Sequence, residues 1–239
     1  MNKIFSSTIR ESLLLWTLSF ISVSLIFPSS CLAQNEDFNV WSAFSFDRKL
    51  RKDTYLHFST QSRFIENVTR YNFSFFDVGL DKKLNKHFDF TVAYVFNIKR
   101  DLLDYWYFRH QLYSNVTYDI GFGDFKFSNR FRIQSDLDDQ LALYTNPFSV
   151  FFYRNKSKCK FELSKKTSLY VSYEWYYKIN NRSMDDLLIH RTRTAIGVCN
   201  QLKKRKKIDV YFMLQKQMKN NQLVNTYVLG SEYALRIKR

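Results

Sequence analysis

The sequence predicts an all-β fold: an antiparallel transmembrane β-barrel of about 10–12 strands, with eleven candidate strands counted. Three observations predict it. Apolar and polar residues alternate with period two, the mark of a strand with one apolar and one polar face. The alternating segments are long. Strands in soluble proteins run to about 5–6 residues, whereas a tilted strand needs about 9–11 to cross a bilayer, and many of these segments reach that length. Short turns alternate with longer loops, as in barrels of the bacterial outer membrane.

Composition removes other classes. The 239 residues include 24 Phe and 16 Tyr, too many aromatics for a disordered chain. Five Gly and two Pro exclude collagen-like and low-complexity chains. Three Cys are too few for a disulfide scaffold. With 37 Lys+Arg against 22 Asp+Glu, the formal net charge is +15.

In chain order, residues 1–33 read as a cleaved signal peptide. Lys3 and Arg10 precede the apolar run Leu13 to Phe27, Pro28-Ser29-Ser30 breaks it, and Cys31-Leu32-Ala33 places small residues at a cleavage site. A membrane-anchoring helix needs roughly 20 apolar residues, more than this run supplies. Pro28 and Ser29 are poor neighbours for lipidation of Cys31. The barrel domain is then 34–239, with strands expected near 38–50, 54–64, 70–82, 88–99, 105–120, 125–136, 147–163, 168–179, 188–200, 208–216 and 224–237. In the second, Leu56, Phe58 and Phe64 oppose Tyr55, His57, Ser59, Gln61 and Arg63. In the fourth, Phe88, Phe90, Val92, Tyr94, Phe96 and Ile98 oppose Asp89, Thr91, Ala93, Asn97 and Lys99. In the sixth, Phe125, Phe127, Phe131 and Ile133 oppose Lys126, Ser128, Arg130 and Arg132. The eighth sets Leu169, Val171, Tyr173 and Trp175 against Tyr170, Ser172, Glu174 and Tyr176. The tenth sets Ile208, Val210, Phe212 and Leu214 against Asp209, Tyr211, Met213 and Gln215. The aromatic-rich faces are expected to meet lipid and the polar faces the lumen.

Short turns are expected at 51–53, 84–86, 121–124, 164–167 and 202–207, and longer loops near 65–69, 100–104, 136–146, 180–187 and 217–223. The short turns are mostly basic, as in Lys203-Lys204-Arg205-Lys206-Lys207. Several long loops are acidic, through Asp101, Asp104, Asp136, Asp138, Asp139, Asp185 and Asp186. The short turns are therefore assigned to the periplasm. Bacterial single-chain barrels have even strand numbers. Eleven strands require one outside the barrel, a further strand before Pro147, or two neighbours closing in parallel.

Asp37-Phe38-Asn39-Val40-Trp41, the run Asp77 to Lys86, Arg109-His110-Gln111-Leu112-Tyr113 and Arg154-Asn155-Lys156 resemble the bacterial domain of unknown function 2490 family. The resemblance covers most of Phe38 to Leu235. It implies a small outer-membrane β-barrel of unassigned function and supplies no catalytic residues. Gly230, Tyr233 and Leu235 look like the C-terminal signal read by the barrel assembly machinery. Val228 and the ending Arg236-Ile237-Lys238-Arg239 depart from it.

The chemistry sits on the polar faces. Arg109, Arg130, Arg132, Arg154, Lys156, Lys158, Lys160, Arg191 and Arg193 form an inward basic stripe, with Asp77, Asp119, Glu162 and Glu174 as acidic partners. Rings of Arg and Lys favour anions, so the stripe predicts either a narrow anion-preferring pore or an interior filled by its own side chains. The competing enzyme class is a membrane-embedded lipid hydrolase. His57 and Ser59 form a His-x-Ser pair that resembles the site of outer-membrane lipid A deacylases. There the pair faces lipid, while here both residues fall on the polar face, without an acid at a fixed spacing. No catalytic, cofactor or metal residues are assigned: His87, His110 and His190 lack ligand spacing. Cys159 and Cys199 fall on opposite faces of non-adjacent strands and are expected to be free. The expected partners are outer-membrane lipids, the assembly machinery and small anions, not nucleic acid, because an exported chain does not meet it.

Overall fold

A computed structural model describes residues 36–100, 104–138, 150–179, 189–219 and 222–237. The expected signal peptide, a strand before Pro147, and the acids Asp101, Asp139, Asp185 and Asp186 lie outside the described residues. Every regular element within them is a strand: β1 (Glu36–Arg51), β2 (Thr54–Ile65), β3 (Arg70–Lys83), β4 (Phe88–Arg100), β5 (Trp106–Phe122), β6 (Phe125–Asp138), β7 (Val150–Glu162), β8 (Thr167–Lys178), β9 (Ile189–Lys203), β10 (Lys206–Lys219) and β11 (Gln222–Ile237). Period-two patterning runs through each, so each can present one face to lipid and one to the interior.

Each strand pairs antiparallel with the next, and β1 pairs β11 to close the barrel. Eleven strands running alternately up and down leave the first and last pointing the same way. Their seam is consequently parallel, from Glu36↔Asn225 to Arg48↔Ile237. Among the three ways to reconcile an odd count, this is the one the chain adopts. Closure satisfies the backbone of every strand within the sheet, which a lipid environment requires.

The alternation places the side chains as the sequence indicates. Phe76, Val78, Leu80, Val92, Leu112, Ile133, Val171, Ile196, Val210, Phe212 and Leu229 are exposed on the outside. An exposed apolar surface of this extent is stable against lipid, not water. Asn97, Asn115, Gln134, Ser172 and Glu174 are buried inside. The interior also carries apolar clusters. Trp41, Ala195, Met213 and Val228 pack together with Tyr211, and Ala93, Val95 and Tyr113 pack with Phe75.

Two glycines make room for rings. Tyr170 is register partner to Gly197, and Tyr211 to Gly230. A Cβ on Gly197 would lie 2.6 Å from the Tyr170 ring, and one on Gly230 would lie 2.0 Å from Tyr211 Cζ. Each ring thus lies flat over a glycine backbone and covers it.

The connections differ from expectation at two places. β10 reaches Lys219 and β11 begins at Gln222, so both strands extend into the expected loop at 217–223. Asp138, assigned to a loop, lies in β6 opposite Arg109. Polar residues ended the readable alternation early, but the backbone ladder continues through them. The 66–69 turn holds Glu66, Asn67 and Val68 at positive φ and is tied back by Thr69 N donating to Glu66 O at 3.2 Å.

Candidate functional site

The basic stripe faces the interior, as its position in the alternation requires. Its centre is Glu174 on β8, whose side chain is only 6% exposed. Arg130 Nη2 donates to Glu174 Oε1 at 2.8 Å and Arg154 Nη2 at 2.9 Å. Arg193 Nη1 stands 3.7 Å from Oε2. The register explains the meeting: Glu174 lies opposite Lys156 on β7 and Arg193 on β9, while Arg130 lies opposite Lys156 from the other side. One carboxylate therefore serves three guanidiniums, with an ammonium on the neighbouring position.

Rings, amides and two further carboxylates complete the surroundings of the basic side chains. Arg132 Nε donates to Asn115 Oδ1 at 2.7 Å, and its Cζ lies 3.6 Å from the Tyr113 ring centre. Arg154 also donates to Gln134 Oε1 at 2.8 Å and covers Tyr176 at 4.3 Å. Lys158 sits 3.5 Å over Tyr170 and 3.9 Å from Asp209 Oδ2. Arg191 lies 5.1 Å from the Tyr176 ring centre. Arg193 lies 5.1 Å from the ring centres of both Trp41 and Tyr176 and donates to Gln215 at 2.9 Å. Arg109 reaches Asp136 at 4.0 Å. Lys160 stands apart from the cluster, opposite Lys126, which pairs with Glu162 at 2.6 Å. Of the nine predicted positions, Arg130, Arg154 and Arg193 meet on Glu174 and Arg191 shares the Tyr176 ring with Arg154 and Arg193, whereas Arg109, Lys158 and Lys160 are placed by other partners.

Sequence reading placed Arg63 on the polar face but not in the stripe. Its Cζ is 3.9 Å from the Trp41 ring centre and 4.4 Å from Phe73. Since Arg193 covers the same Trp41 ring, β2 and β9 meet through the interior. Period-two alternation shows which face a residue takes, but not which residues of distant strands converge.

A second cluster lies at the short-turn mouth, beside a cavity of about 200 Å³ lined in part by Asp47, Tyr55, Asp81 and Arg236. His57 Nδ1 meets Asp47 Oδ1 at 2.8 Å, so the histidine has an acidic neighbour that sequence spacing did not reveal. Asp47 and His57 are register partners across β1 and β2. Ligand atoms of Asp47, His57 and Asp81 lie within 4.8 Å of one another. They are already engaged: Arg236 Nη2 donates to Asp47 Oδ2 at 3.0 Å, and Thr91 Oγ1 to Asp81 Oδ1 at 2.7 Å. Ser59 pairs Ser45 and faces the interior, away from lipid. On the outer face, His110 Nδ1 meets the Tyr94 hydroxyl at 2.6 Å. Cys159 is exposed, Cys199 is half-buried, and both are free.

The model of one family matches residues 38–226, most of the barrel. The chain belongs to the family described as Protein of unknown function (DUF2490). Of the motifs that suggested the resemblance, Asp77 to Lys86, Arg109 to Tyr113 and Arg154 to Lys156 lie inside the match, and Asp37 to Trp41 enters it at Phe38. Two solved structures align with this DUF2490 chain at low identity. A NanC porin structure is 13% identical, with a TM-score of 0.49, over 82% of this chain and 95% of that one. The outer-membrane expressed OmpT of Vibrio cholerae is 11% identical, with a TM-score of 0.40, over 74% of this chain and 60% of that one. No curated protein matches the chain.

Proposed function

We propose that the protein is a non-enzymatic outer-membrane β-barrel whose interior forms a narrow, anion-preferring passage. The observation that carries this reading is the charge imbalance inside the wall. Glu174 serves Arg130, Arg154 and Arg193. Among the described residues, no carboxylate lies within 4.0 Å of Arg63, Arg132, Lys156 or Arg191. Fixed cations in a low-dielectric wall draw anions in and repel cations. Export by the leader at 1–33, folding by the barrel assembly machinery and contact with outer-membrane lipids belong to the same reading, with the basic short turns in the periplasm.

The test is planar-bilayer conductance of the detergent-refolded protein, with selectivity taken from the reversal potential in a salt gradient. Steady conductance with a reversal potential on the anion side is the expected result. Cation-selective conductance, or none from a folded barrel, overturns it. A closed interior is the second reading, favoured by Trp41, Met213 and Val228 packing inside the wall. The lipid-hydrolase alternative has weaker support, because Ser59 falls on the inward face with Ser45 and not against lipid.

A further inference from the structure

Four guanidiniums gather on two rings in the interior. Arg63 and Arg193 lie 3.9 and 5.1 Å from the Trp41 ring centre. Arg154, Arg191 and Arg193 lie 4.3, 5.1 and 5.1 Å from that of Tyr176. Because Arg193 belongs to both groups, the four form one cluster drawn from β2, β7 and β9.

The hydrogen-bond inventory of this cluster is incomplete. Glu174 is spent on Arg130, Arg154 and Arg193. The hydrogen bond of Arg63 goes to its neutral neighbour Gln61, from Nε at 2.7 Å. Arg191 Nε and Arg154 Nε are both buried with no hydrogen-bond partner. A buried donor left unpaired is costly, the more so when charged. The aromatic faces attract the guanidiniums but carry no net negative charge to neutralise them. What the cluster lacks is negative charge presenting several acceptor oxygens at once. The planar guanidinium fork matches a carboxylate or phosphate in that way.

We infer that Arg63, Arg154, Arg191 and Arg193 form an internal binding site for a small divalent oxyanion, phosphate or sulfate, free or carried on a larger solute. The inference rests on the cationic interior argued above but not on conduction. A closed barrel could hold the anion as a permanent counterion, and a conducting one would pass it.

The experiment is a calorimetric titration of the refolded protein in neutral detergent with inorganic phosphate, then sulfate, with chloride as monovalent control. Saturable binding of phosphate or sulfate, and not of chloride, is the expected result. Removing a charged hydrogen-bond donor costs about 1.5–3 kcal/mol, so Arg63→Gln with Arg191→Gln should weaken binding about tenfold or more. Lys165→Gln, in a short turn, should leave it unchanged. If the double variant fails to fold, Arg191→Lys keeps the charge, removes the fork and should weaken binding on its own. A parallel titration with a short-chain phospholipid separates the sources. Phosphate binding that the lipid displaces, and that Arg191 substitutions do not touch, marks a headgroup site on the outer surface and overturns the proposal. So does the absence of saturable oxyanion binding in the native chain. Anion-selective conductance without binding would sink the site and leave the passage standing. Binding without conductance would do the reverse.

Discussion

Glu174 is the residue on which the interior depends most. Its carboxylate is buried and holds Arg130, Arg154 and Arg193. Replacing one member of a buried ionic group leaves uncompensated charge and costs about 3–5 kcal/mol. Glu174→Gln is therefore expected to lower the denaturant midpoint of the folded barrel, measured by the mobility shift between unheated and heated samples. A midpoint equal to that of the native chain would show that the arginines find other anions. Gly230 acts through space, not charge. A methyl there would meet Tyr211 Cζ at 2.0 Å. Overpacking of this kind costs about 1–3 kcal/mol, so Gly230→Ala should destabilise the barrel by that amount, and Gly230→Ala with Tyr211→Ala by less than the two single effects combined. Strict additivity would mean that ring and glycine do not touch.

Among the elements, the seam between β1 and β11 is the least ordinary. Parallel pairs are slightly weaker per residue than antiparallel ones, and this one carries the whole closure. It is reinforced by side chains: Ser45 Oγ donates to Glu232 Oε1 at 2.6 Å, and Arg236 Nη2 to Asp47 Oδ2 at 3.0 Å. Ser42 and Ser231 are direct partners in the parallel register. With Cys159 and Cys199 changed to serine, cysteines at 42 and 231 should form a disulfide under mild oxidation. Cysteines at 42 and 237 should not. The opposite pattern would overturn the register. The outer faces invite a second comparison. Val92 is 50% exposed in the midst of the aromatic face of β4, and an arginine facing the bilayer core costs about 2–4 kcal/mol. Val92→Arg should weaken folding into vesicles by that much, while Lys156→Gln, on the inner face, should not. Equal effects would deny the difference between the faces.

At the scale of the whole molecule, the inner wall carries more fixed positive than negative charge. The conductance expected of the protein should respond to that wall. Arg154→Ser, Lys156→Ser and Lys158→Ser together should move the reversal potential towards the cation side, since they remove three cations and no anion. An unchanged reversal potential would place the selectivity in the loops. High salt should reduce the preference, because screening shortens to about 3 Å at 1 M. The eleven candidate strands and the bounds of most of them were legible in the sequence. The place of Asp138 in β6, the reach of β10 to Lys219 and the place of Arg63 were not. Asp138 and the residues from Gln217 to Lys219 look like loop because polar residues lie on both faces there, and a ladder held by backbone hydrogen bonds is indifferent to that. Arg63 stands alone in β2, and only barrel closure brings it to Trp41 beside Arg193.

The sequence by itself determined which face each residue takes, because neighbouring side chains on a strand must point to opposite sides. It also marked eleven candidate strands, and the closed sheet then decided that all eleven join and that β1 and β11 run parallel. Tertiary structure decided what meets across the interior. Alternation has a range of two residues, whereas Glu174 with Arg130, His57 with Asp47, and Trp41 with Arg193 depend on register, strand tilt and the curvature that brings distant strands within reach. Those contacts place several guanidiniums around one carboxylate, and the chemistry of the interior follows from that imbalance.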